Sequence, residues 1–308
     1  MAKPKYEGYC KGKPTYRVRE KYEGTNIYVQ NAKSKSLLTK TSGFINSYDF
    51  SLNPYRGCQY GCSYCYAAAF SPNSKMRQDW GNWVIIKENA QEILEKELIR
   101  WYKKNPDRPP RIYMSTVTDP YQPIEGKERL TRSLLEVMRE YPVILVIQTR
   151  SPLITQDIPH LQRMPYLRVN LTIPTGSEEV RKDFEPRSPT IKARLNAVKL
   201  IRESIDETKG FVPKLSITIT PTLPTPVAEQ EAFIKKLRIA DRIVIQEFHA
   251  STRGSLVAST RPEALALKQK YSWWYDNEQQ NYQQFKDKLM SLLPGIEIRE
   301  GKAGFSYD

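Results

Sequence analysis

Six short apolar runs rich in β-branched residues recur along the middle of this 308-residue chain, separated by stretches with helical periodicity. The runs cover 50–52, 111–115, 143–149, 167–173, 215–220 and 242–248. Continuous apolar runs that end in polar or turn residues are the pattern of strands buried on both faces, as in parallel sheets. Between them, 89–103 places Ile93, Leu94, Leu98 and Trp101 at helical spacing behind a capping Asn89. Residues 129–140, 154–162, 190–203 and 227–237 fill the same role, and 262–284 is a further long helix carrying Trp273, Trp274 and Tyr275. Strands alternating with helices require right-handed crossovers and a parallel sheet, which sets the class as α/β. In such folds the chemistry collects where the strands end. The expected organisation is an N-terminal extension over 1–45, a barrel-like domain over 46–250 and a C-terminal helical region over 251–308 packing on it.

The extension is distinctive in charge. Residues 1–42 hold ten Lys or Arg against three Glu, which is +7 of the chain's formal +14. Tyr6, Tyr9, Tyr16, Tyr22 and Tyr28 are interleaved with those charges. Cationic side chains neutralise phosphates and aromatic rings stack on bases, so a nucleic acid or nucleotide is the partner this composition suits; a solvated basic arm is the plainer reading. With 39% hydrophobic and 27% charged residues the chain reads as soluble and globular, and no apolar run reaches the length of a membrane span. Met1-Ala2-Lys3-Pro4-Lys5 opens no secretory signal, so the cytoplasm is the expected compartment, where thiols stay reduced.

Three of the four cysteines fall within eight residues, in Asn53-Pro54-Tyr55-Arg56-Gly57-Cys58-Gln59-Tyr60-Gly61-Cys62-Ser63-Tyr64-Cys65-Tyr66. Thiolates so spaced converge on one centre only if the backbone curls around it, and Gly57 and Gly61 supply the torsional freedom. They read in three ways. They are plain structural thiols; or they bind zinc, with Cys10, His160 or His249 as a fourth donor, though none has knuckle-like spacing; or they hold an iron–sulfur cluster and leave one iron open.

Cys-x3-Cys-x2-Cys with an aromatic residue before the last cysteine resembles the signature of the radical S-adenosylmethionine (SAM) superfamily. Asn53–Cys58, Cys65-Tyr66-Ala67, the segment Ser115-Thr116-Val117-Thr118-Asp119-Pro120-Tyr121-Gln122-Pro123-Ile124-Glu125, Leu130-Thr131-Arg132, Glu185-Pro186 and Arg194-Leu195 resemble its spore photoproduct lyase-like branch. That resemblance spans about 35–250. It implies a partial, TIM-barrel-like (β/α)6 fold, which agrees with the six runs, and a [4Fe–4S] cluster on Cys58, Cys62 and Cys65. It also implies that SAM chelates the open iron and is cleaved reductively to a 5′-deoxyadenosyl radical, with flavodoxin or ferredoxin as electron donor. Relatives commonly hold the methionyl amino group with Gly-Gly-Glu after the second strand. This chain has Ser115, Thr116, Thr118 and Asp119 there, and these are the expected substitutes. Tyr64, Thr149, Ser151, Thr172, Glu185 and Thr218 complete the expected SAM site, with Arg194 suited to a carboxylate by bidentate pairing. An ordinary ion pair is the plainer account of Glu185 and Arg194. Gln246, Glu247 and His249 close the sixth run, facing either the barrel mouth or its wall.

The chain departs from that branch in one respect. Spore photoproduct lyase uses a further, C-terminal cysteine as hydrogen donor, and no cysteine follows Cys65 here. Faithful thymine-dimer repair is therefore not expected. Cys10 and His249 are the remaining catalytic candidates. Three functions are carried forward: a radical enzyme acting on a nucleic acid or nucleotide, a radical enzyme for a small metabolite or peptide, and a zinc-stabilised binding module without catalysis.

Overall fold

Alternation along the strands sorts the core into two sides. Ile112, Met114, Leu145, Ile147, Ile217 and Ile243 point outward into a core shared with Leu94, Leu98, Leu134, Val198, Phe233 and Leu289 of the covering helices. Tyr113, Val146 and Val244 point the other way and pack with Tyr48 and Phe305. This two-sided burial is why the runs are continuously apolar in sequence. The computed structural model describes residues 18–19, 27–205, 212–248 and 262–308. Cys10, His249 and most of the basic, Tyr-rich N-terminal segment lie outside the described residues.

The main sheet has eight strands in the order Glu297–Glu300, Arg242–Ile245, Lys214–Ile219, Tyr166–Thr172, Ile144–Thr149, Arg111–Met114, Phe50–Leu52, Leu38–Lys40. All neighbours are parallel except the last pair. The six expected runs are its six central strands. Two edges remain open, so this is a partial barrel. The two outer strands, Leu38–Lys40 and Glu297–Glu300, lie outside the six runs, because Leu-Thr-Lys and Glu-Ile-Arg-Glu carry no apolar run.

The helices follow their expected positions with two differences. The segment over 154–162 forms a 3-10 helix, Pro152–Asp157, then a short α-helix, Ile158–Leu161. Pro159 has no N–H and fits only a first turn, so the α-helix starts just before it. The long C-terminal helix is three pieces, Pro262–Lys270, Ser272–Tyr275 and Glu278–Leu292. The break falls where aromatic burial overrides continuity: Tyr271 packs on Phe184 with ring centroids 5.6 Å apart, and Tyr275 on Phe248 at 5.0 Å.

A second sheet braces the cysteine segment. Tyr28–Ala32 runs parallel to Trp83–Lys87, which pairs antiparallel with Tyr55–Arg56, directly before Gly57; Val18–Arg19 adds antiparallel to Tyr28–Ala32. Beneath it the Tyr55 hydroxyl donates to the buried Glu125 carboxyl, which also accepts from Thr131 N at 3.0 Å and Arg132 N at 3.3 Å. Burial outweighs these donors and pushes the Glu125 carboxyl up to about 7.

The closing segment folds back into the barrel. Arg168 Nε donates to the Tyr307 carbonyl at 2.9 Å, and Arg242 Nη1 to that of Ser306 at 2.9 Å. Tyr48 donates to the Phe305 carbonyl at 2.5 Å.

Candidate active site

The loop from Gly57 to Cys65 curls because two residues take left-handed torsions. Gly57 has φ +82, and a Cβ there would stand 2.5 Å from the Trp83 carbonyl oxygen; Gly61 has φ +57 and meets Gly81 Cα at 2.9 Å. The curl places Cys58, Cys62 and Cys65 on the wall of one cavity of about 470 Å³, at the C-terminal ends of the parallel strands. Cys58 is 8% and Cys62 3% exposed, while Cys65 is half-buried. Burial and the neighbouring Asp119 push the Cys58 thiol well up, and burial raises the Cys62 thiol to about 12. Such thiols become ligands when a metal centre supplies the positive charge.

The loop is fastened to the next strand end by a reciprocal set of bonds. Gln59 N donates to Gln122 Oε1 at 2.8 Å, and Ile124 N donates to Gln59 Oε1 at 2.6 Å. The Thr118 hydroxyl donates to the Gly57 carbonyl at 2.6 Å. Asn53 Oδ1 accepts from Thr116 N and Val117 N, each at 3.0 Å.

Of the expected cofactor residues, Tyr64, Ser115, Thr116, Thr118, Asp119, Thr149 and Thr172 line this cavity with the three cysteines. Most of their polar atoms are already engaged. The Thr149 hydroxyl donates to Asp119, and Thr172 accepts from Gln148 Nε2 at 2.6 Å and from the Thr218 hydroxyl at 3.0 Å. Ser115 differs. It is 5% exposed, holds φ 77, and its hydroxyl has no partner among the described residues. A strained backbone that presents an unpaired buried hydroxyl to a cavity is the arrangement expected where a ligand completes the hydrogen bonding.

Four expected residues lie off the cavity wall. Ser151 accepts from Leu153 N at 3.2 Å, capping the Pro152–Asp157 turn. Thr218 sits fully buried beneath Thr172. Glu185 and Arg194 are fully buried and paired, Arg194 Nη2 to Glu185 Oε2 at 2.5 Å, and Arg194 also donates to the Thr172 carbonyl at 3.1 Å. The arginine on the wall is Arg150, absent from the sequence-based set. It pairs with the other oxygen of Glu185 and lies 2.9 Å from Cys62 Sγ. Its place directly after Thr149, at a strand end, was the signal that would have found it. Gln246 and Glu247 line the cavity, as do Phe44, Tyr113 and Phe305, an aromatic floor that sequence reasoning missed.

Among the described residues, no group of three His, Cys, Asp or Glu is arranged to hold a metal ion. The three thiols and the unpaired Ser115 hydroxyl on the same cavity wall are a donor set compatible with an iron–sulfur cluster and a polar ligand.

A parallel-stranded partial barrel with three thiols on one cavity wall at its strand ends marks out a candidate active site. Residues 52–217, more than half of the chain, match the family model of the Radical SAM superfamily, and the chain belongs to that superfamily. The chain is 31% identical over 188 residues to an uncharacterized protein of Methanocaldococcus jannaschii, covering 61% of this chain and 68% of that protein. An uncharacterized protein of Mycobacterium tuberculosis is 30% identical over 165 residues, covering 50% of this chain and 45% of its own. Among solved structures, spore photoproduct lyase complexed with dinucleoside spore photoproduct aligns with TM-score 0.56 and 14% identity, covering 88% of this chain and 81% of that one. A variant of that lyase with bound AdoMet and the same dinucleoside aligns at 0.57 with 15% identity, covering 89% and 81%. At such identities the likeness concerns the fold. The chain is a radical SAM enzyme, and no described helix is long and apolar enough to cross a membrane.

Proposed function

We propose that Cys58, Cys62 and Cys65 hold a [4Fe–4S] cluster whose open iron takes SAM, and that the substrate is a nucleic acid or nucleotide. The observation that carries the reading is that all three thiols face the same cavity as the strand-end wall bearing the unpaired Ser115 hydroxyl. When bound, cluster and SAM supply a 5′-deoxyadenosyl radical that takes a hydrogen atom from the substrate. This chain's residues do the rest. Ser115 offers its hydroxyl to the polar end of the ligand, and the polar segment Thr116–Asp119 lies beside it. The aromatic floor of Phe44, Tyr113 and Phe305 excludes water from a reactive carbon centre.

The nucleic-acid reading is supported by the +7 carried by residues 1–42 and by the dinucleoside bound to structural neighbours. A second reading, a small metabolite or peptide, is supported by the cavity of about 470 Å³, a size ordinary for small ligands. The cytoplasm, and a flavodoxin or ferredoxin as reductant, belong to the proposal. The test is anaerobic reconstitution with iron and sulfide, then SAM and dithionite. Production of 5′-deoxyadenosine, abolished by Cys58→Ala, Cys62→Ala or Cys65→Ala, is expected. Protein that takes up zinc but no iron or sulfide overturns the reading.

A further inference from the structure

Arg150 has an unusual position for a guanidinium. Its Nη1 lies within donor reach of Cys62 Sγ at 2.9 Å, of Tyr64 Oη at 3.0 Å and of Glu185 Oε1. The side chain is only 16% exposed, and those of Glu185 and Arg194 are fully buried. Two guanidiniums therefore share the Glu185 carboxylate, and the buried Asp119 is a further acid whose charge acts on Arg150. Arg194 is enclosed, held by Glu185, the Pro189 carbonyl at 3.0 Å and the Thr172 carbonyl at 3.1 Å. Arg150, by contrast, stands on the cavity wall with an N–H directed at Cys62 Sγ.

We infer that Arg150 is the donor that serves the Cys62 thiolate once a cluster is in place, and that Glu185 and Arg194 are positioning residues that hold it there. The inference rests on the cluster reading above. Its physical content is a bias between redox states. Three thiolates bring negative charge to the cluster, and reduction adds more. A cation and an N–H directed at one sulfur stabilise the reduced state more than the oxidised one, which raises the potential. Replacing Arg150 removes that bias without removing a ligand. Tyr64 gains a role as well, since its hydroxyl donates to Glu185 and keeps Arg150 from swinging away from the sulfur.

The experiment is a potentiometric titration of the reconstituted protein, followed by electron paramagnetic resonance, without SAM and without turnover. Arg150→Met is expected to lower the equilibrium constant for cluster reduction about tenfold, equivalent to ~59 mV for one electron. Arg150→Lys should fall between Arg150→Met and the native protein. Glu185→Gln, which frees Arg150 from its partner, should change the potential while leaving all three thiols in place. If Arg150→Met does not fold, Arg150→Gln, which keeps an N–H but no charge, must still fall below Arg150→Lys. A native potential and native iron content in the folded Arg150 variants overturn the inference, even if SAM binds them more weakly; Arg150 would then serve the cofactor's carboxylate instead. A native protein that takes up no iron or sulfide refutes the cluster reading itself, and this inference with it.

Discussion

The Asp119 carboxylate accepts a hydrogen bond from the Thr149 hydroxyl at 2.6 Å, joining the loop after one parallel strand to the end of the next. Its other oxygen accepts from Arg150 N at 2.9 Å, and Oδ1 also accepts from Tyr121 N at 2.9 Å. One buried side chain thus fixes both the wall behind Ser115 and the backbone that carries Arg150. Asp119→Ala leaves three donors without a partner, which should destabilise the metal-free protein by roughly 2–4 kcal/mol. Denaturant unfolding measures that loss, and iron content after reconstitution should fall with it.

Gly57→Ala tests the curl of the cysteine loop. The new methyl would lie 2.5 Å from a carbonyl oxygen in a left-handed backbone, whereas at Gly43, with φ +62, a methyl meets nothing within 4 Å. Gly57→Ala should destabilise by about 3 kcal/mol and prevent cluster uptake. Gly43→Ala should cost about 1 kcal/mol and retain the cluster. Equal losses at the two positions would contradict this account.

Glu125 predicts a pH dependence with a definite sign. Its folded pKa is raised from 4.5 to about 7, so the folded state keeps a proton that the unfolded chain releases. Stability from this group is fully present below about pH 4.5 and is lost as pH rises through 7. At about 1.4 kcal/mol per pKa unit the loss is on the order of 3 kcal/mol. Unfolding free energies of the native protein and Glu125→Gln, measured from pH 4.5 to 8, should therefore diverge by that amount, with the native curve falling. Parallel curves would reject the assignment.

The nucleic-acid proposal is best tested by a deletion that respects the fold. Residues 28–32 pair in a sheet, and Leu38 N donates to Glu97 at 2.8 Å, so the cut should fall earlier than residue 27. Removing 1–17 deletes Lys3, Lys5, Lys11, Lys13 and Arg17. If these contact phosphates, the dependence of binding on salt should lose about 0.9 in log–log slope for each contact removed. An unchanged slope, or no binding by the full chain, would favour a small-molecule substrate.

The scaffold was legible because parallel strands buried on both sides must be apolar throughout, and Ile144–Thr149 or Lys214–Ile219 cannot hide that pattern. The cysteine loop was equally legible, since three thiols and two glycines at fixed spacing admit few arrangements. The division of labour among buried charges was not. Glu185 and Arg194 carry the same letters whether they meet a ligand or each other, and only the packing shows that Arg194 is enclosed while Arg150 reaches the cavity. The aromatic floor was hidden for another reason: Phe44 and Phe305 meet with ring centroids 5.4 Å apart, but they lie far apart in sequence and no local pattern links them.

That separation bears on how the chamber closes. Phe305 completes the cavity floor only when residues far apart in sequence have met, and contacts that close so long a loop are slow to form. The curl at Gly57 and Gly61 is local by comparison, so the order of folding sets the cysteine loop first and seals the space beneath it from water last.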